Sequence, residues 1–370
     1  MGMAARATAA LHPPPFFEEA PQPDAPVEWW FLHGWFAGQE MDERCFMASV
    51  FRFEIPGAHG RQVSAFAALI SVLCTRTGMQ QSSSWLSHSA LEAFSRPFIV
   101  PRSDSFSPEF LLTELRGWGL PGEFECPAAE PEVSAEALDI RWSGFSLTGG
   151  ADSIVVAFRD PGTSERLAFQ LTARTTRLAI DAAAEVGGAG ESMSYVSYPN
   201  MRLEGRAGER EVAGDAWLDH QWGGYGWVWS MGEVAELRGW DWLGFRLDDG
   251  SEWVVMSHWS AESRKEFSRH LTMRDASGEV RATSAFDWTP VRWWTSPLSG
   301  VRHPVEWELR VRDWNVQLSF TPFADSQEMR VFGPLRAIWE GAGRVQGSVA
   351  GRPVEGPGRL EGLSGACSNS

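Results

Sequence analysis

The segment from Gly214 to Gly224, GDAWLDHQWGG, holds the residues of this chain that are best suited to chemistry. Its large apolar and polar residues alternate, which predicts a β-strand. Successive side chains of a strand point to opposite faces, so His220 and Trp222 share one face and Asp219 lies on the other. Each face therefore carries an ionisable group beside a tryptophan, although a barrel strand usually has one apolar face.

These residue types suit acid–base chemistry on an apolar substrate. Histidine and carboxylate side chains move protons, and an indole face attracts a cation. The chain has 20 Trp against 3 Tyr, and eight of these Trp lie between Trp217 and Trp259. So many indoles either fill a barrel core or line a cavity for a large apolar ligand. Composition alone favours the core, because cores and pockets use the same residue types.

Short strands must position these side chains. In the first half we predict strands at Val27–Phe36, Cys45–Ile55, Ala65–Arg76, Phe110–Leu115, Leu138–Thr148, Ser153–Arg159 and Arg166–Arg174. In the second half we predict them at Met201–Gly205, Val212–Trp222, Trp240–Leu247, Glu252–Trp259, His270–Arg274, Val305–Val311, Asn315–Thr321 and Glu340–Ala350. A short helix is possible around Leu86–Phe94, and Pro290–Pro304 resembles a loop or lid. Many short strands with few helices predict an all-β sandwich or barrel.

A chain of 370 residues suits two domains. The Pro-rich residues 1–26 predict a flexible lead-in. The Gly-rich stretch Ala179–Gly190 predicts the boundary between a first domain, residues 27–188, and a second domain, residues 189–370.

Charge and cysteine content exclude several classes of function. The net charge of −16 argues against nucleic-acid partners, which require clustered Lys and Arg. We expect neither a signal peptide nor a transmembrane segment, because no suitable apolar run is present. The four Cys are widely spaced and the His do not cluster at ligand spacings, so we expect no metal site. The default expectation is a cytoplasmic protein with reduced thiols.

Three segments resemble the carotenoid 1,2-hydratase family, also called hydroxyneurosporene synthase or AttH-like. The first is the EWWFLHG segment that starts at Glu28. The second is the central segment Gly214–Gly223. The third starts at Trp339 with WEG and ends at Gly362 with LEG. Their order and spacing agree with the family pattern across residues 27–365.

This resemblance implies two lipocalin-like antiparallel β-barrel domains packed together, with a hydrophobic cavity at or near their interface. Relatives add water to an isoprenoid double bond without a cofactor, and the lipocalin-like Diels–Alderases cyclise polyenes. The expected activity is therefore a cofactor-independent hydratase or cyclase acting on a large apolar polyene or isoprenoid. A non-catalytic carrier of lipid or pigment is the alternative, since family membership does not fix the reaction. The oligomeric state stays open.

By the same resemblance, His220 and Trp222 are the candidate catalytic residues that face the cavity. Asp219 is a third candidate, although a structural ion pair or turn is the more frequent role for such a carboxylate. The candidate substrate-binding residues are Trp30, Glu28, Trp217, Trp240, Trp242 and His258. For Glu28 the competing interpretation is a buried ion pair with an arginine such as Arg52 or Arg202. For His258 it is a barrel histidine with satisfied hydrogen bonds.

The chain departs from the hydratase pattern at one strand. The family places an aspartate, with a tyrosine shortly before it, on the strand after a DG hairpin. Here the strand after Asp249-Gly250 has no carboxylate between Trp253 and Trp259. Asp241 and Glu28 are possible substitutes. Without a strong acid, the cavity would suit a cyclisation in which the protein mainly orients the substrate and excludes water.

Overall fold

A computed structural model of the chain describes residues 19–56, 62–95, 124–180, 193–224, 238–260, 265–331 and 337–363. These ranges form two large, almost wholly antiparallel sheets, which confirms the predicted all-β fold of two lipocalin-like barrel domains packed together. The alternating and apolar runs of the sequence supply the strands, and Gly-containing turns connect many of them. In the described ranges, no helix is long and apolar enough to cross a membrane.

The first sheet is built from strands in the described residues before position 224. They are β1 Val27–Gly38, β2 Arg44–Pro56, β3 Gln62–Cys74, β4 Met79–Leu86, β5 Phe124–Glu125, β6 Glu132–Val133, β7 Asp139–Trp142, β8 Phe145–Gly149, β9 Ile154–Arg159, β10 Arg166–Ala173, β11 Leu178–Ala179, β12 Met193–Ala207 and β13 Arg210–Gly223. Helix α1, His88–Ser95, follows β4. The order is β5-β4-β3-β2-β1-β13-β12-β10-β9-β8-β7-β6, with β11 beside β12.

The second sheet follows in the chain. Its strands are β14 Arg238–Arg246, β15 Glu252–Ser260, β16 Glu266–Arg274, β17 Val280–Thr283, β18 Asp287–Thr295, β19 Arg302–Val311, β20 Val316–Pro322, β21 Glu328–Arg330, β22 Ala337–Val349 and β23 Arg352–Gly362. A single 3-10 turn, Arg312–Trp314, joins β19 to β20. The order is β17-β16-β15-β14-β23-β22-β20-β19-β18, with β21 beside β22.

Three apolar layers result from the alternation of side chains. One lies inside the first sheet and includes Trp30, Leu32 and Leu218. Another lies inside the second sheet and includes Trp253 and Trp339. The third lies between the sheets, because strands of both present large side chains there: Trp29, Phe31, Tyr195, Trp217, Trp242 and Met256. The sheets therefore meet through an aromatic interface rather than through a linker alone.

A buried ion pair also joins the two sheets. Arg274 of β16 donates from Nε to Oε2 of Glu252 at 2.7 Å. The same guanidinium reaches the first sheet's segment between β10 and β11, donating to the carbonyl of Thr176 at 2.7 Å and to Oγ1 of Thr175 at 2.8 Å. Because both charges are almost fully buried, these hydrogen bonds fix the sheets in one relative position.

Several expectations about elements need correction. The Pro290–Pro304 segment is not a lid. It belongs largely to the β18–β19 hairpin, in which Arg292, Trp293 and Trp294 pair with residues of β19. Strands β4 and β23 were missed because Ser, Gln, Gly and Pro dilute their apolar pattern, and β17 and β21 were missed because they are too short to show a pattern. The strand predicted at Phe110–Leu115 lies outside the described residues.

The division between the sheets also differs from the boundary predicted after residue 188. Strands β12 and β13 pair with β10 and β1 of the first sheet, so sheet membership changes only after Gly223. The linker predicted at Ala179–Gly190 lies largely outside the described residues. Residues 19–26 were expected to be part of a flexible lead-in, but Glu19 is fully buried against the first barrel. The flexibility of the lead-in and the division of the chain into domains themselves stay predictions.

Candidate functional site

Strand β13 carries the central segment and separates two very different environments. It lies between β1 and β12, with His220 opposite Trp30 of β1 and Asp219 opposite Phe31. The alternation predicted from the sequence holds, since Ala216 and Leu218 join the core of the first barrel while Trp217 joins the layer between the sheets. The face that carries His220 is here called the closed face, and the face that carries Asp219 the open face.

On the closed face, His220 is held between two carboxylates. Its Nδ1 lies 2.7 Å from Oε2 of Glu19, and its Nε2 lies 2.9 Å from Oε1 of Glu28. All three side chains are fully buried. A neutral imidazole has only one N–H, so two carboxylate partners select the doubly protonated imidazolium. Burial opposes this charge, but the hydrogen bonds to Glu19 and Glu28 outweigh it and raise the pKa of His220.

Further groups complete the closed face. Arg52 lies 2.8 Å from Oε2 of Glu28, which confirms one of the two ion pairs considered for that glutamate. Tyr198 donates its hydroxyl to Oε1 of Glu19 at 2.7 Å. Burial favours the neutral form of Glu19, yet its bond to His220 prevails and lowers the pKa of this carboxyl. Two carboxylates thus face an imidazolium and a guanidinium, and the cluster is close to electrically balanced.

Two indoles cover the imidazole ring. Trp30 stacks on His220 with ring centroids 5.0 Å apart and planes 14° from parallel. The ring of Trp222 lies 4.5 Å away at 38°. This arrangement lets both rings stabilise the imidazolium. With both nitrogens hydrogen-bonded and the side chain fully buried, His220 presents no group to a substrate in this conformation.

The open face borders a small cavity between the two sheets. The cavity measures about 20 Å³, which is enough for about one water molecule. It is lined by Trp29, Phe31, Asp219, Gln221, Trp240, Trp242, Met256, His258 and Glu361. Most of these side chains are aromatic or apolar, and the two carboxyl groups come from different sheets.

Asp219 is the better anchored of the two acids. Oδ1 accepts a hydrogen bond from Nε1 of Trp217 at 2.6 Å and a short one from the Ser197 hydroxyl. Oδ2 accepts from the Tyr195 hydroxyl at 2.8 Å. These donors favour the ionised form, but complete burial prevails and raises the pKa of Asp219 to about 7. A carboxyl of this kind holds a proton at neutral pH, as a general acid requires.

Glu361 of β23 is the second acid. Burial raises its pKa to about 7, against the hydrogen bond that Oε1 accepts from Nε1 of Trp240 at 2.5 Å, and the charge of Asp219 adds to the increase. Arg359 lies on the same face of β23 and donates to the Glu340 carbonyl at 3.0 Å. Because a guanidinium stays charged, Arg359 supplies the positive charge that opposes this accumulation of carboxyl groups.

The predicted site residues therefore separate into two groups. His220, Trp222, Trp30 and Glu28 lie together on the closed face. Asp219, Trp240, Trp242 and His258 line the cavity, and Trp217 donates to Asp219 beside it. We expected His220 and Trp222 to face the cavity, with Asp219 as a third catalytic candidate for which a structural role is more frequent, but in the structure the cavity lies on the Asp219 side. The catalytic and binding roles themselves stay predictions.

Several residues of the site were missed in the sequence. Glu19 stands in a Pro-rich segment that has no strand pattern, and Tyr195 and Ser197 lie in a strand whose start was placed at Met201. Glu361 carried a usable signal, because it belongs to the closing LEG segment of the resemblance. Among the described residues, no group of three or more His, Cys, Asp or Glu side chains is arranged to hold a metal ion.

Two solved structures share this fold. A protein of Nitrosomonas europaea, provisionally described as AttH, is 20% identical to this chain with a TM-score of 0.69, over 98% of this chain and 99% of that one. Kievitone hydratase of Nectria haematococca is 16% identical with a TM-score of 0.62, over 95% of this chain and 93% of that one. No curated protein matches the sequence significantly. The family model described as AttH-like matches residues 128–361, and the chain therefore belongs to the AttH-like family.

Proposed function

We propose that this protein is a cofactor-independent hydratase that adds water to a carbon–carbon double bond of a large apolar substrate. The observation that carries this proposal is the pair Asp219 and Glu361, two carboxyl groups that border one water-sized cavity between aromatic side chains. Family membership and the fold shared with kievitone hydratase agree with a reaction of this class.

The reaction needs a proton donor and a proton acceptor at one place. Asp219 in its protonated form transfers its proton to the less substituted alkene carbon, and the π electrons form the new C–H bond. The more substituted carbon becomes a carbocation, which a water molecule attacks through oxygen. Glu361 in its ionised form accepts the proton that this water loses. The product is a tertiary alcohol, and one proton moving from Glu361 to Asp219 restores the starting state.

The two acids are suited to divide these roles. Both have a pKa raised to about 7, and ionisation of Asp219 makes ionisation of Glu361 harder. Carboxyl groups that repel each other in this way lose their protons in two separate steps. Near neutral pH the pair therefore holds one proton, so that a donor and an acceptor are present together.

The surrounding aromatic side chains supply what the carbocation needs. Phe31 and Trp242 meet edge to face with centroids 5.6 Å apart, and Trp217 meets Trp242 in the same way at 5.9 Å. Ring faces at the cavity attract positive charge, and the apolar walls favour an isoprenoid chain over a polar substrate. The acids missing from β15 are thus replaced from β13 and β23, while β15 contributes Met256 and His258.

The size of the cavity agrees with hydration. A space of about 20 Å³ accommodates the water that the reaction consumes. Cyclisation and carriage of an apolar ligand are the alternatives that the labelling experiment below tests.

The test is a screen of isoprenoid alkenes and polyenes for gain of one water. Incubation in H2(18)O followed by mass spectrometry identifies products that carry the labelled oxygen. With an accepted substrate, Asp219→Asn is expected to lower kcat by about a hundredfold or more, because it removes the proton donor. The profile of kcat against pH should be bell-shaped with its maximum near 7.

Asp215→Asn provides the matched control, since Asp215 lies on the same strand and pairs with Arg246 at 3.1 Å, away from the cavity. This variant should keep its turnover. Full activity of Asp219→Asn on a substrate that the native protein hydrates would refute the assignment. Binding of these alkenes without any labelled product would instead favour a carrier.

A further inference from the structure

A chain of hydrogen bonds crosses from one sheet to the other and ends on Asp219. Nε1 of Trp242, on β14 of the second sheet, donates to the hydroxyl of Tyr195 at 2.9 Å. Tyr195, on β12 of the first sheet, donates the hydrogen of that hydroxyl to Oδ2 of Asp219 at 2.8 Å. All three side chains are buried, so water does not compete for these bonds.

The chemistry of the donors fixes the direction of this chain. An indole N–H donates and does not accept, so the oxygen of Tyr195 must be the acceptor for Trp242. The hydroxyl hydrogen of Tyr195 is then left for Asp219. Burial raises the pKa of Tyr195 well above its ordinary value, with the charge of Asp219 adding to this effect. The phenol therefore holds its hydrogen more firmly than an exposed tyrosine does.

Asp219 is consequently surrounded by donors on the protein side. Trp217 and Ser197 donate to Oδ1 and Tyr195 donates to Oδ2, and none of the three takes a proton from a neutral carboxyl while these bonds persist. The remaining side of the carboxyl borders the cavity. A proton on Asp219 is thus directed towards the place where we propose that the alkene binds.

We infer that Tyr195 and Trp242 are positioning residues that aim the proton of Asp219 into the cavity and make its delivery depend on the contact between the two sheets. This inference rests on the proposed function, because it assigns the aim of the same acid. It extends that function, because a residue of the second sheet then helps to orient the acid. Trp242 is linked to Asp219 through Tyr195 only while the sheets are docked.

Conservative variants separate this role from simple packing. Tyr195→Phe and Trp242→Phe keep aromatic rings in the layer between the sheets but remove the O–H and the N–H. Tyr195→Phe should lower kcat by about tenfold, the effect of one hydrogen bond to a charged group, with little change in KM. Trp242→Phe should lower it less. The double variant should be no slower than Tyr195→Phe alone, because the two bonds act in series.

Infrared difference spectroscopy of the carboxyl band, with Asp219→Asn as the reference, measures the titration of Asp219 without substrate. Tyr195→Phe should move the pKa of Asp219 upward by roughly one pH unit, because a donor to its ionised form is lost. The matched control is Tyr198→Phe, which removes a hydroxyl bonded to Glu19 on the closed face. It should leave both kcat and the carboxyl titration unchanged.

Two results would overturn the inference: losses in kcat that simply add in the double variant, or an Asp219 titration that Tyr195→Phe does not move. The infrared experiment decides this even if the hydratase proposal fails. If the hydratase proposal fails, Asp219→Asn leaves product formation unchanged. The infrared titration still reports whether Tyr195 and Trp242 control the protonation of the Asp219 carboxyl.

Discussion

The two faces of β13 place ionisable groups one residue apart in opposite circumstances. On the closed face, His220 is bonded through both nitrogens to Glu19 and Glu28 at 2.7 and 2.9 Å. On the open face, Asp219 borders a cavity together with another acid, Glu361. The closed face pairs opposite charges, whereas the open face brings like groups together. His220 and Asp219 are both almost fully buried, so their partners rather than their exposure make the difference between them.

The charge of its partner decides whether a buried ionisable group is available for chemistry. A carboxylate paired with an imidazolium has its charge satisfied and loses its partner only at a high cost in free energy. Two carboxyl groups in one place keep a proton that neither holds firmly, which is the usual condition of an acid–base pair. We therefore propose that the closed face stabilises the fold and that the open face is the part of the strand that reacts.

The largest expected effect comes from breaking the closed face. His220→Ala leaves Glu19 and Glu28 buried without their shared partner, which should lower the free energy of unfolding by about 3–5 kcal/mol. Urea unfolding followed by tryptophan fluorescence measures this loss. His88→Ala, at the half-buried start of α1, is the control and should change stability little.

The same variant tests the catalytic role that the sequence predicted for His220. If that residue only stabilises the fold, the folded fraction of His220→Ala should turn over substrate at the native rate. A stable, folded His220→Ala protein without turnover would mean that the closed face takes part in the reaction, and the division between the two faces would have to be abandoned.

The pH dependence of stability should also distinguish the faces. The pKa of Asp219 rises from 3.8 to about 7 and that of Glu361 from 4.5 to about 7 on folding. The folded state thus favours the protonated acids, so their contribution is complete below pH 4 and is lost as the pH rises towards 7. The pKa of His220 is raised above 6.5, so its contribution is complete below that pH and is lost only above it.

Glu19 works in the opposite direction. Its pKa is lowered from 4.5, so its contribution is present above that pH and is lost as the pH falls below it. The double variant Asp219→Asn, Glu361→Gln should therefore reduce the fall in stability between pH 4 and 7 and leave the loss below pH 4.5 in place; Glu340, whose pKa burial also raises, contributes to the fall that remains. Thermal unfolding across this range measures both, and an unchanged slope between pH 4 and 7 would contradict the raised pKa values.

Much of the fold followed from the sequence, because strand alternation is a local property. The period of two in β13 correctly placed His220 and Trp222 on one face and Asp219 on the other. The pattern carried no information on which face meets the second sheet. Which face of β13 meets the second sheet depends on the pairing of β1 with β13. It also depends on the docking of Trp242 and Glu361, which follow Asp219 by more than twenty residues in the chain.

The candidate site was predictable only in part, for the same reason. Asp219, Trp240, Trp242 and His258 were found because they lie in strongly patterned strands. Glu19 was not, since its position depends on a segment without periodicity whose side chain closes the barrel over His220. Departures from local rules of this kind are frequent at functional or strained sites.

The smallest expected effects come from two matched tryptophans, one on each face. Trp222→Phe removes part of the ring beside His220 and should lower the free energy of unfolding by about 1 kcal/mol without changing kinetics.

Trp240→Phe removes the N–H group whose hydrogen bond Glu361 accepts at 2.5 Å. Loss of a donor to the ionised form raises the pKa of Glu361, so the acidic limb of the activity profile should move to higher pH. Urea unfolding midpoints and pH profiles of kcat/KM of the two variants test whether the faces are functionally separate. A shifted profile in Trp222→Phe, or an unshifted profile in Trp240→Phe, would show that they are not.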